Sequence, residues 1–290
     1  MNRPLALSFH QGRFRGLHSD ERELRRGLPW IRSPINLKYG LRFPQLFRHS
    51  DATPIELFFD LFFVANVSTF SSIHEINKLE ALFSYIGFFS IIWFTWLQIT
   101  LHDVRFARDS ILERTFKALQ LATMVGFAST GPSFSTNIRF ENRWAFKSLT
   151  VILACSRVLL GLQHAVAASF MITLMKPAYK KTLIMGATYC FMALAHGLIY
   201  VGFREETTQG YYVWIAWTGM FAIETFIVFW ISCKNPILNL EETHLNSRMS
   251  LLTLIIIGEG VISITNIFCG SRISIFLLDK RLGAFGSVCG

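Results

Sequence analysis

Charge is scarce in this sequence. Asp, Glu, Lys and Arg make up 16% of its 290 residues, against about a quarter in an ordinary soluble domain. Hydrophobic residues reach 52% and Phe alone occurs 28 times. So little polar side chain cannot cover a water-facing surface, which excludes an ordinary soluble globular protein and names lipid as the solvent. Paired cysteines are missing too. Cys155, Cys190, Cys233, Cys269 and Cys289 are scattered and form no C-x-x-C, so neither a zinc site nor a disulfide framework is implied. There is no P-loop, G-x-G-x-x-G, H-E-x-x-H or G-x-S-x-G, which removes the nucleotide-binding, zinc-protease and serine-hydrolase readings that those motifs carry. No cofactor and no metal is expected.

The apolar residues fall into seven segments, 54–73, 81–101, 118–134, 148–168, 182–203, 212–232 and 249–268. Each is close to the 20 or so residues that cross a bilayer core about 30 Å thick. The fold expected is an all-α polytopic bundle. The third segment carries Gly126, Gly131 and Pro132, the pattern of a broken or re-entrant helix. Residues 1–53 are Arg-rich with four prolines and lack the apolar stretch of a cleavable signal. They read as a basic, partly disordered tail before a membrane domain over 54–268. Residues 269–290 read as a short, atypical C-terminal tail.

The net charge of +9 would suggest nucleic acid in a soluble protein, but here the basic residues are segregated. With the tail inside, Lys and Arg number 19 on inner segments and 8 on outer ones. That bias places the N-terminus in the cytosol and needs no nucleic-acid partner. A plasma or internal membrane is favoured over the mitochondrion. No lysine lies within a span, so a retinal Schiff base has no attachment point.

Charges inside spans are costly and face the bundle interior. The first span opens with "TPIELFFDLFFV". Thr53, Pro54 and Glu56 have the spacing of a capping box with proline at the first helical position, the Thr53 hydroxyl accepting the Glu56 amide and the Glu56 side chain reaching back to Thr53. Capping does not explain Asp60, about 9 Å into the helix at 1.5 Å per residue. Measured from the same side, Glu224, Glu259 and Arg157 lie about 12, 15 and 16 Å deep, so these four residues are candidates for one buried charged layer. Arg157 is the strong cation within the spans, which makes it the expected partner of Asp60, with Glu259 as the competitor. Secondary candidates are His164, two turns after Arg157; His196, alone on an apolar face; and His244 and Arg248, ahead of the last span. Gly258 and Gly260 flank Glu259 and would let a neighbouring helix approach it. His102, Asp103 and His244 flank spans and would ligate a metal only if the fold united them. The run Arg105–Arg114 reads as a short solvated helix in which Arg105 and Asp109 pair.

"ATPIELFFDLFFVANVS" resembles the helix-one signature of the low-temperature-requirement A (LtrA) membrane family, close to T-x-L-E-L-F-F-D-L-V-F-V, with Glu56, Phe59 and Asp60 at matching positions. "HLNSRMSLLTLIIIGEGVISI" resembles its second signature, close to H-x-x-x-R-H-G-L-x-x-I-I-x-L-G-E-S-I, through His244, Arg248, Leu251, Gly258 and Glu259. "LQITLHDVRFARDS" and "ENRWAFKSLTVILACSRVLLGLQH" look like the fungal branch. The resemblance covers roughly residues 50–268. Met249-Ser250 stand where His-Gly is usual, and Gly260 removes the hydroxyl expected beside Glu259. Family members normally continue with further helices, so the chain reads as truncated at its C-terminus.

The resemblance implies a multi-pass membrane protein linked by its name to growth in the cold. It brings no substrate. Three functions remain open: movement of a proton, small ion or solute through the charged layer, a non-transporting protein for stress adaptation whose buried charges lock helix packing, and an intramembrane enzyme using buried carboxylates.

Overall fold

The computed structural model describes residues 29–36, 45–46, 52–73, 79–134, 143–202, 210–240, 243–262 and 264–265. The C-terminal tail 269–290, with Cys269 and Cys289, and residues 1–28 lie outside them. Among the described residues seven helices follow in sequence: α1 (Pro54–Ile73), α2 (Leu79–Phe106), α3 (Ile111–Thr130), α4 (Arg143–Leu174), α5 (Lys176–Gly202), α6 (Gly210–Cys233) and α7 (Leu245–Ile262). One two-residue pairing precedes them, β1 (Ile35–Asn36) antiparallel to β2 (Gln45–Leu46). Six of the helices, all but α3, are long and apolar enough to cross a membrane. The all-α polytopic bundle is therefore what the chain forms.

α3 departs from the expected third span. It begins at Ile111 rather than residue 118 and runs unbroken through Gly126 to Thr130. Its start is fixed by capping. Ser110 Oγ accepts the Glu113 amide at 3.2 Å, and the carbonyls of Pro29 and Trp30 accept the Ile111 and Leu112 amides at 3.1 Å. These bonds satisfy donors that a helix end otherwise leaves open. Glu113, Arg114 and Lys117 in the first two turns keep α3 below the apolarity of the other helices. Gly126 does not break it, because Ile152 of α4 fills the notch: a Cβ at Gly126 would come within 3.0 Å of Ile152 Cδ1. Pro132 falls after the helix, in a 3-10 turn over Gly131–Ser133.

α4 and α5 make the most extensive helix contact. They fold back on each other where Gly161 and Gly186 meet. A Cβ at Gly186 would lie 3.1 Å from His164 Cβ and 3.6 Å from the Gly161 carbonyl oxygen. Small residues let helix backbones approach in lipid, where apolar burial gives no association energy. α2 runs through the middle of the core, with Phe88, Ile92, Trp96 and Ile99 buried against Phe59, Phe63 and Phe70 of α1. Phe191, Leu194, Leu198 and Val201 of α5, and Ile223, Phe226 and Trp230 of α6, face outward, as a lipid-covered surface requires.

Candidate functional site

The buried charges do not form one layer. They form two, on different helices. The first lies where α1 and α7 begin and α2 ends. Glu56 turns its side chain back so that Oε2 accepts the Thr53 amide at 2.8 Å. The Glu56 amide itself bonds the Thr53 carbonyl at 3.0 Å rather than the hydroxyl, so half of the expected capping box forms. The same carboxylate faces α7, with Oε2 3.3 Å from His244 Nε2 and Oε1 3.8 Å from Arg248 Nη1.

One turn deeper, Asp60 is fully buried. Its Oδ1 accepts Arg248 Nη2 at 2.6 Å and Trp96 Nε1 at 2.7 Å. Arg248 also places Nη1 3.5 Å from Asp103 Oδ2, so one guanidinium spans Glu56, Asp60 and Asp103. Only an arginine presents donors in such a fork. Asp103 takes a second cation, forming an ion pair with Lys117 of α3. Aromatic faces complete the cage, with Lys117 Nζ 5.3 Å from the Phe59 ring centre and the Arg248 guanidinium 5.8 Å from Trp96, within reach of cation–π attraction. Glu113 stands at the edge of this layer. Burial pushes its carboxyl up from the ordinary value, while the nearby His102 and Lys117 pull it down.

The second layer is mid-bundle. Arg157 of α4 donates Nε to Glu224 Oε2 of α6 at 3.0 Å, and Nη1 to Thr95 Oγ1 at 3.3 Å and Ser156 Oγ at 3.2 Å. Its guanidinium lies 5.1 Å from the Phe221 ring centre. Both charged side chains are fully buried. Breaking such a pair costs about 3–5 kcal/mol, because the survivor is left uncompensated.

Polar side chains run between the layers. The His102 and His164 ring centres are 4.9 Å apart, as are those of His164 and Tyr189. The Tyr189 hydroxyl donates to Gln98 Oε1 at 2.7 Å, and Gln98 Nε2 donates to Thr225 Oγ1 at 2.9 Å. Thr225 follows Glu224 in the chain. The line thus runs from His102, beside Asp103, to Thr225, beside Glu224 in the chain, through ring contacts as far as Tyr189 and hydrogen bonds beyond it. Gln120 Nε2 of α3 donates to Gln163 Oε1 of α4 at 2.7 Å beside it.

Several expectations change against this geometry. Asp60 pairs with Arg248, not Arg157, because α7 begins at Leu245 and carries Arg248 into the bundle opposite α1. Arg157 is taken by Glu224. Glu259 pairs with neither cation: it is half-buried and accepts the Ser68 hydroxyl of α1 at 2.7 Å, which supplies the hydroxyl that Gly260 lacks. Gly258 and Gly260 admit no close helix among the described residues, since a Cβ at either would meet nothing within 4 Å. His164 is fully buried, with Nδ1 2.9 Å from the Leu160 carbonyl. His196 packs 6.1 Å from the Phe221 ring centre, and neither ring nitrogen has a hydrogen-bond partner among the described residues. His244 belongs to Glu56 and does not join His102 and Asp103. Arg105 and Asp109 do not pair: the helix stops at Phe106, so Arg105 turns inward and donates Nη2 to Ser232 Oγ at 2.5 Å. Asp109 instead binds Arg114 through two bonds of 2.8 and 2.9 Å on the surface.

The residues that sequence reasoning left out of the charged layers are Trp96, Asp103, named there only as a conditional metal ligand, and Lys117, with Thr95 and Gln98 in the deeper layer. A signal existed for two of them. Asp103 and Lys117 sit within one helical turn of an apolar run, where extending the helix places the charge inside.

Residues 51–288 match the family described as "Bacterial low temperature requirement A protein (LtrA)". The match runs past the second signature, to residue 288. No curated protein and no solved structure matches the chain. The match takes in every helix among the described residues and both charged layers, and the chain belongs to the LtrA family of multi-pass membrane proteins.

Proposed function

We propose that this protein moves a proton or small ion across its membrane along the polar line between the two charged layers. The observation that carries this reading is the run His102, His164, Tyr189, Gln98 and Thr225, in ring contact from His102 to Tyr189 and hydrogen-bonded from Tyr189 to Thr225, which lies between the Asp103 cluster and the Arg157–Glu224 pair. Intramembrane ionisable residues facing a bundle interior are a common mark of ion and proton pathways. The 19-to-8 asymmetry of Lys and Arg supports a cytosolic N-terminus, which puts the Glu56–Asp60–Asp103 cluster near the cytosolic face.

A second reading, a scaffold for stress adaptation, has its own support. Asp60, Arg157, Glu224 and Arg248 are all engaged in ion pairs, and such pairs fix helix register. Reconstitution separates the two. Protein in liposomes loaded with a pH-sensitive dye, tested over a series of ion gradients, should give flux well above that of empty liposomes. Leak-level flux for every ion would leave the scaffold.

A further inference from the structure

We propose that His102, Asp103 and Glu113 bind one divalent cation of the zinc or manganese class at the foot of α2 and α3. This goes beyond the transport reading and does not depend on it. The three side chains bring ligand atoms within 4.8 Å of one another. His102 Nδ1 lies 3.7 Å from Asp103 Oδ1, too long for a hydrogen bond and close to the spacing of two ligands about 2.0–2.2 Å from a shared cation. Glu113 offers the third ligand atom, within 4.8 Å of the other two.

The donors are unused. His102 is 2% exposed, yet neither ring nitrogen has a hydrogen-bond partner among the described residues, and Asp103 Oδ1 and Glu113 Oε1 have none either. Buried polar atoms are rarely left so. One cation would satisfy all three side chains. The neighbouring cations do not compete for these atoms. Lys117 and Arg248 both approach Asp103 through Oδ2, which leaves Oδ1 free.

Glu56, Asp60, Asp103 and Glu113 bring four carboxylates to one end of the bundle, where Lys117, Arg248 and His244 face three of them. Access exists as well. His102 and Glu113 line an open pocket. Its rim carries Arg32 and Arg108, and Arg108 Nη1 is held by the Ser33 carbonyl at 3.0 Å. One imidazole with two carboxylates suits Zn2+ or Mn2+, since imidazole favours the former and carboxylate the latter.

The test uses the full chain purified in detergent, stripped with EDTA and dialysed against Zn2+ or Mn2+ alone. One equivalent per chain should bind. Glu113→Gln should weaken that binding at least about tenfold, since changes even to outer-shell partners typically cost 10–100-fold. Glu113 stands at the bundle edge and caps α3 through its backbone amide, which the substitution keeps, so this variant should retain the helical content of the parent. Electron spin-echo signals from an imidazole nitrogen on bound Mn2+ should disappear in His102→Ala. Failure of both metals to bind stoichiometrically, or equal affinity in Glu113→Gln and the parent, would overturn the proposal.

Discussion

Arg248 reaches back across 188 residues of chain to place Nη2 2.6 Å from Asp60 Oδ1, tying the start of α7 to the first turns of α1. The two positions belong to the two family signatures. The acid of one and the arginine of the other are therefore halves of a single contact.

Removing either half should destabilise the bundle by about 3–5 kcal/mol, the usual penalty for stranding a buried charge. Asp60→Ala and Arg248→Ala together should cost less than the sum of the two, with a coupling of about 0.5–3 kcal/mol. Recovery should be incomplete, because Asp103 and Glu56 also lose Arg248. Asp60→Ala with Arg157→Ala should instead be additive within about 0.5 kcal/mol. Unfolding midpoints in detergent measure both cycles.

The mid-bundle pair makes a graded prediction. Glu224→Gln keeps an acceptor for Arg157 Nε, whereas Glu224→Ala leaves the guanidinium in an apolar core. Thermal midpoints should rank parent, then Gln, then Ala. Equal midpoints for the two variants would mean that water, rather than Glu224, solvates Arg157.

Much of this was legible in the sequence. Glu56, Asp60, Arg157, Glu224 and Arg248 stand out as charges within or beside apolar runs, and the six long spans follow from length and hydropathy. The pairing was not legible, for two physical reasons. Apolar windows end before helices do. Ending α2 at residue 101, starting α3 at 118 and starting α7 at 249 puts Asp103, Lys117 and Arg248 outside the bundle, yet capping and ion pairing extend each helix past its apolar run. The other reason is rotation. A helix apolar on every side carries no stripe that says which face looks inward, so depth along the helix was readable and azimuth was not. Depth alone grouped Asp60 with Arg157.

Glycines in this bundle should divide into two classes. A Cβ at Gly161 would meet Cys190 Sγ at 2.7 Å, and Gly186 sits in the same crossing. Gly186→Leu should therefore force α4 and α5 apart and lower the yield of folded protein. Gly197 and Gly219 face open space, so Ala at either should be neutral or stabilising by up to about 1 kcal/mol. Size-exclusion profiles of the three variants would show the division.

Orientation can be read directly. A glycosylation acceptor placed within residues 203–209 should be modified, and one at the N-terminus should not, because the positive charge lies on the N-terminal side. Modification of the N-terminal acceptor alone would invert the bundle and put the Asp60–Arg248 layer on the opposite face.

The most direct measurement of the transport reading is ion flux through Tyr189→Phe in liposomes. This substitution removes one hydroxyl from the middle of the polar line. It leaves Gln98 Oε1 without its donor, at a cost to stability of about 1–3 kcal/mol, and it touches neither ion pair. The variant should reconstitute as a folded bundle, with the flux that the parent supports reduced at least about tenfold, a barrier increase of roughly 1.4 kcal/mol. Unchanged flux in folded Tyr189→Phe would contradict a path along this line.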